Sequence, residues 1–158
     1  MATMVRSEKD IVSLLNDLIA LDFDAIEAYD AAIARLSDTN DKDQLQRFLG
    51  DHLRHTVELA EHVAKYGYQP VTKADIKRVL IKGKVVLAGL SGDSAVLGAM
   101  KSNEDDTNKA YERAVNQQGL PESVRSVLTR NLSDERRHRS WLEQRILSVQ
   151  VTQPSARI

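Results

Sequence analysis

The stretch LNDLIALDFDAIEAYDAAI, Leu15 to Ile33, decides the class of fold. At 100° per residue, Ile11, Leu15, Leu18, Ile19, Ala25, Ile26, Tyr29, Ile33 and Leu36 gather on one face. That is the 3.6-residue period of a helix packed along one side. Asp22 falls near the middle of the same face. A lone carboxylate in an apolar stripe is costly to bury, so this residue calls for a partner inside the protein.

Working outward, Ser7 with Asp10 three residues on marks a start, and the spacing predicts a first helix over 8–36, ending before Ser37-Asp38-Thr39-Asn40. A second helix is expected over 40–66, stopped by Gly67 with Pro70 beyond it. A shorter connecting helix over 73–89 follows from Thr72 or Asp75 and closes at Gly89-Leu90-Ser91-Gly92. A third long helix over 93–118 ends at Gly119-Leu120-Pro121, and a fourth opens at Pro121-Glu122 and runs to 149. Short links make each pair an antiparallel hairpin, and the longer middle link lets the third helix begin at the far end. The expectation is an all-α, antiparallel four-helix bundle with an additional helix in the connection between helices 2 and 3. It forms a single domain over 1–149, with a frayed tail over 150–158.

Composition agrees. Aromatic residues are 4% of the 158 and charged residues 28%, a helix-rich rather than sheet-rich balance. The formal net charge is −1 with both signs dispersed, so neither nucleic acid nor an anionic membrane is an expected partner. With no cysteine, disulfides, thiolate metal sites and cysteine catalysis are excluded. No apolar run approaches the roughly 20 residues that span a bilayer, and residues 1–10 carry no secretory pattern, so a cytoplasmic location is the expectation.

Each of the other long helices repeats the anomaly of Asp22. On helix 2, His52 sits near the centre of the face made by Leu45, Phe48, Leu49, Leu59, Ala60, Val63 and Tyr66, and His55 lies on its flank. On helix 3, Glu104 and Thr107 lie within the stripe of Val96, Leu97, Met100, Tyr111, Ala114 and Val115, with Asn108 at its edge. On helix 4, Asn131, Glu135 and His138 interrupt Val124, Val127, Leu128, Leu142, Ile146 and Val149. Residues equidistant from a hairpin turn share a level. Asp22 therefore comes level with His55, and Glu104 with Arg136, beside Glu135 and within about a turn of His138.

Three carboxylates (Asp22, Glu104, Glu135) and three imidazoles (His52, His55, His138) form a mixed oxygen–nitrogen donor set. Two divalent ions would offset the carboxylate charge and give the lone pairs a partner. Glu135-Arg136-Arg137-His138 has the Glu-x-x-His spacing that aims two donors from one helix at one ion, as in di-iron carboxylate bundles. Tyr29, Thr107, Asn108, Tyr111 and Asn131 are read as hydrogen-bonding partners of this layer, and His62 as a surface or boundary histidine.

The segments LNDLIALDFDAIEAYDAAI, FLGDHLRHTVELAEH, AMKSNEDDTNKAYERA and LSDERRHRSWLEQ resemble the ferritin-like superfamily, closest to small bacterial ferritin-like bundles grouped as a domain of unknown function. Asp22 with Tyr29 is similar to the acid-plus-tyrosine pair of the family's first helix, Glu104 with Tyr111 to its counterpart on the third, and Glu135 with His138 to the fourth-helix motif. The resemblance implies a non-haem iron site of two ions per chain, with oxidase- or peroxidase-type chemistry toward O2 or peroxide and an iron-handling or stress role. Two departures stand out. The first acid is Asp rather than Glu, and helix 2 has His52-Leu53-Arg54-His55 where the family has Glu-x-x-His. Asp51 could supply the displaced carboxylate, although the wheel turns it off the face.

Three readings stay open at this point: the dinuclear site, in which zinc or manganese could stand for iron; a mononuclear zinc-type site of three histidines and a carboxylate; and a metal-free structural or interaction bundle whose polar layer fixes helix register. A homodimer is the one protein partner left open.

Overall fold

In the computed structural model, which describes residues 6–76, 87 and 89–152, the chain forms four long helices. They are α1 (Glu8–Arg35), α2 (Thr39–Lys65), α3 (Asp93–Val115) and α4 (Glu122–Thr152), and no strand occurs among the described residues. The ends follow from local chemistry. The Ser7 side chain accepts the Asp10 N–H and starts α1, and Asp38 does the same for Asp41 at the start of α2.

Helix α2 stops in a Schellman arrangement. Gly67, at φ +80°, donates to the Ala64 carbonyl and Tyr68 to the Val63 carbonyl, a turn that a residue with a Cβ adopts only under strain. Helix α3 ends at Val115, three residues short of the expected 118, and Asn116 is its C-cap. The Arg125 guanidinium, reaching over from α4, donates to the Val115 and Gln117 carbonyls that this earlier end leaves free. Helix α4 continues to Thr152, past the end expected at residue 149. The connecting helix expected over 73–89 lies for the most part outside the described residues, and Lys73–Ile76 form turns.

Packing fixes the topology. The hairpin partners α1/α2 and α3/α4 pack most extensively, α1 against α3 next, and α2 against α4 least. Helices α1 and α4, like α2 and α3, are therefore diagonal. Asp22 meets Tyr111 and Tyr29 meets Glu104, so α1 and α3 run antiparallel. It follows that α2 and α3 run parallel, which requires the long crossover between them, as in ferritin-like bundles. Asp93 ties the far ends together, its carboxylate accepting the backbone N–H groups of Ser37 (2.8 Å) and Asp38 (3.0 Å).

The interior is divided. One apolar cluster packs Ile11, Leu15 and Ile19 against Leu59, Val63, Val124 and Leu128 at one end. The other packs Ile26, Leu45, Phe48, Leu97, Met100 and Leu142 at the opposite end. Between them lies a fully buried polar layer of Asp22, His52, His55, Glu104, Glu135 and His138.

Candidate metal centre

All six expected donors are fully buried, and the bundle brings them together in two overlapping groups. Asp22, His52, His55 and Glu135 form one, and His52, Glu104, Glu135 and His138 the other. Within each, the donor atoms lie within 4.8 Å of one another, close enough to hold a metal ion. In the first group, Asp22 Oδ1 is 2.8 Å from His52 Nδ1 and 3.3 Å from His55 Nδ1, and Glu135 Oε1 is 3.4 Å from both ring nitrogens. In the second, Glu104 Oε1 is 3.4 Å from His52 Nε2 and 3.4 Å from His138 Nδ1. A tetrahedral ion with bonds of 2.0–2.1 Å spaces its donors about 3.3 Å apart, and all of these separations but the 2.8 Å Asp22–His52 pair lie close to that spacing.

The layer is nearly two-fold symmetric between the hairpins. Tyr29 on α1 donates to Glu104 on α3, and Tyr111 on α3 donates to Asp22 on α1. Asp51-His52-Leu53-Arg54-His55 on α2 faces Asp134-Glu135-Arg136-Arg137-His138 on α4. His55 Nε2 lies 2.9 Å from Asp134 Oδ2, and His138 Nε2 lies 2.8 Å from Asp51 Oδ2. Each outer carboxylate is held in turn by an exposed arginine of the opposite helix, Arg54 on Asp134 and Arg137 on Asp51. With Nε2–H donated outward, the Nδ1 atoms of His55 and His138 are the ring nitrogens aimed into the layer. An outer carboxylate fixes the orientation and raises the basicity of a ligating histidine in this way.

Nothing in the helical wheel singles out Asp134, and it offers Asp51 only as an inner donor. Both lie off the inward stripe of their own helix. The α2–α4 contact turns that flank toward a neighbour rather than to water. The signal that could have found them is the Asp-x-x-x-His spacing, 51 to 55 and 134 to 138, on both helices.

Among the other polar residues expected at the layer, Thr107 Oγ1 donates within α3 to Glu104, whose Oε2 is 3.2 Å away. Asn108 Nδ2 joins two helices by donating to the Glu104 carbonyl (2.7 Å) and the Glu135 carbonyl (3.0 Å). Asn131 is fully buried beside Tyr111 but lacks a hydrogen bond of normal geometry. His62 is partly buried on α2, outside both donor groups.

Electrostatics reinforce the pairing. Burial pushes the Asp22 carboxyl up, but hydrogen bonds from His52 and His55 outweigh it and hold the group below the ordinary carboxylate range. Glu104 is likewise depressed, burial being overcome by His138 and His52. Burial alone would lower the imidazoles. Glu135, Asp22 and Glu104 instead hold His52 well above its usual value; Asp22 and Glu135 bring His55 to about 10; and Asp51 and Glu104 raise His138. Glu135 moves the other way, raised chiefly by burial. The histidines and the Asp22 and Glu104 carboxylates thus favour one another's charged forms. Even so, both Glu135 oxygens and His138 Nδ1 lack a hydrogen bond of normal geometry.

Three comparisons place these observations among known proteins. A protein family described as "Domain of unknown function (DUF2383)" matches residues 10–117, which cover α1 to α3 and stop before α4. Comparison with curated proteins gives no match. Among solved structures, the chain is similar to a two-domain protein from Anabaena variabilis containing DJ-1/ThiJ/PfpI-like and ferritin-like domains, with a TM-score of 0.80 at 20% identity. The likeness covers 98% of this chain and 43% of that one, so this chain spans less than half of its neighbour's length.

Proposed function

We propose that this chain, which belongs to the DUF2383 family, is a ferritin-like metal-binding protein that holds two divalent ions, iron first among them, in its central layer. Asp22, His52, His55 and Glu135 would hold one ion, and His52, Glu104, Glu135 and His138 the other. The observation that carries this reading is that, in a fully buried place, both oxygens of Glu135 and Nδ1 of His138 lack a hydrogen bond of normal geometry, Glu135 Oε1 and His138 Nδ1 having only charged neighbours at 3.4 Å. A buried donor left without a partner is costly. A layer selected only to fix helix register would be expected to satisfy its own members.

The donor set fits the ion. Carboxylate and imidazole suit iron, manganese and zinc alike, and each outer ring nitrogen is anchored by Asp51 or Asp134. An iron pair, when bound, supplies the redox capacity for O2 or peroxide chemistry. The chain's own contribution is to fix donor geometry, exclude water through the apolar clusters above and below, and hold protons on Tyr29 and Tyr111. Burial and the neighbouring Glu104 and Asp22 carboxylates keep both phenols protonated. An iron-handling or peroxide-related role follows by analogy of fold alone.

Anaerobic titration of metal-free protein with Fe(II), with element analysis of the product, tests the reading. Two ions per chain are expected. One ion would favour the mononuclear zinc-type alternative, and no stoichiometric uptake would leave the metal-free polar layer. That last reading has its own support in the direct 2.8 Å pairing of His52 with Asp22.

A further inference from the structure

His52 stands at the junction of the two donor groups, and its ring nitrogens point to opposite sides. Nδ1 lies 2.8 Å from Asp22 Oδ1 and 3.4 Å from Glu135 Oε1, on the side completed by His55. Nε2 lies 3.4 Å from Glu104 Oε1, on the side completed by His138. The ring is fully buried, so neither nitrogen has water as an alternative partner. Tyr29 packs beside it with ring centroids 5.3 Å apart, and His138 at 5.2 Å, which limits rotation of the imidazole. His55 and His138 differ from it. Each spends one nitrogen on an outer aspartate, Asp134 or Asp51, and offers a single donor inward. His52 offers two.

Resting on the metal-binding reading above, we propose that His52 is a bridging ligand, bound to one ion through Nδ1 and to the other through Nε2. On loading, every N–H proton the ring carries passes to solvent, and a metal–nitrogen bond takes its place at each ring nitrogen. No electron is transferred. The resulting imidazolate carries one negative charge. With Asp22, Glu104 and Glu135 it brings the donor charge to four, equal and opposite to that of two divalent cations in a site without water to screen an excess. A neutral His52 would keep a proton on one nitrogen, deprive one group of a donor and leave a net positive charge buried.

Copper(II) loaded into the metal-free full-length chain provides the test, because a bridging imidazolate couples the two unpaired spins antiferromagnetically. Element analysis is expected to give two coppers per chain, with a double-integrated electron paramagnetic resonance signal below half of that copper. In His52→Gln, judged folded by circular dichroism, every copper retained is expected to appear in the spin count. A full count in the wild type at two coppers, a single copper in the wild type, or a reduced count persisting in His52→Gln would each overturn the bridge. Should His52→Gln not fold, Glu135→Gln decides the matter, since Glu135 is the other residue common to both groups. A reduced count there supports His52, and a full count refutes it. Failure of the wild type to take up copper, Fe(II) or any other divalent ion would remove the metal-binding reading itself.

Discussion

At the scale of single residues, the central layer combines donors that the sequence displays openly with supports that it conceals. Asp22, His52, Glu104 and Glu135 stand out because each interrupts an apolar stripe, and interruption is visible on a helical wheel. Asp51 and Asp134 sit beside the stripe among ordinary surface charges, and the histidines they hold belong to the neighbouring helix. Substituting either with Asn removes the carboxylate acceptor from His138 or His55. The expected result is a fall in metal affinity of about 10–100-fold with the fold intact, measured by competition with a chelator. Unchanged affinity in both variants would mean that these carboxylates serve the metal-free protein alone.

The same residues set a pH profile for the metal-free protein. His55, at about 10 in the fold against an ordinary 6.5, contributes stability that is complete below 6.5 and lost as pH rises through about 10. Asp22 and Glu104, held below their ordinary 3.8 and 4.5, contribute stability present above those values and lost as pH falls through the depressed ones. Glu135, raised by burial, softens the acid edge. Thermal melts should therefore show greatest stability between about pH 4.5 and 6.5, with the melting temperature declining toward pH 10. A rise over that alkaline range would contradict the assignment.

At the scale of elements, the long helices were legible because 23 to 31 residues of periodic pattern leave little ambiguity. Their ends were less so. Ser7 and Gly67 act through their own local sequence and were read from it. The end of α3 depends on Arg125 arriving from the next helix, and no local signal at 115–118 announces that. Asp93 is a second non-local device, standing in the first turn of α3 while capping the bend before α2. Asp93→Ala leaves the Ser37 and Asp38 N–H groups without their acceptor. It should destabilise the protein by about 1–3 kcal/mol, read by denaturant unfolding, without altering metal stoichiometry because it lies far from the layer. An effect below the error of the measurement would show that water replaces the carboxylate at that bend.

At the scale of the molecule, hairpin pairing and mid-bundle convergence could be argued from turn positions, whereas the crosswise exchange between hairpins could not. Level matching relates residues within a hairpin, but says nothing of which hairpin faces which. The Tyr29–Glu104 and Tyr111–Asp22 contacts supply that information in the folded chain. An ion bound in the layer would add a link among all four helices. At a free concentration 100 times the dissociation constant it should stabilise the fold by about 2.7 kcal/mol. For a chain of this size that raises the melting temperature by roughly 5–10 °C, reversed by chelator. A melting temperature indifferent to Fe(II), Mn(II) and Zn(II) would favour the metal-free reading.

The division of the interior into two apolar clusters has a consequence for how the molecule loosens. Each end is fastened by its own oily plug, while the waist depends on proton-shared contacts that acid, base or a lost partner can undo. Opening should therefore begin amidships, with both plugs still seated. A pair of ions would act there as a rivet, placed where the barrel has least else to keep its staves together.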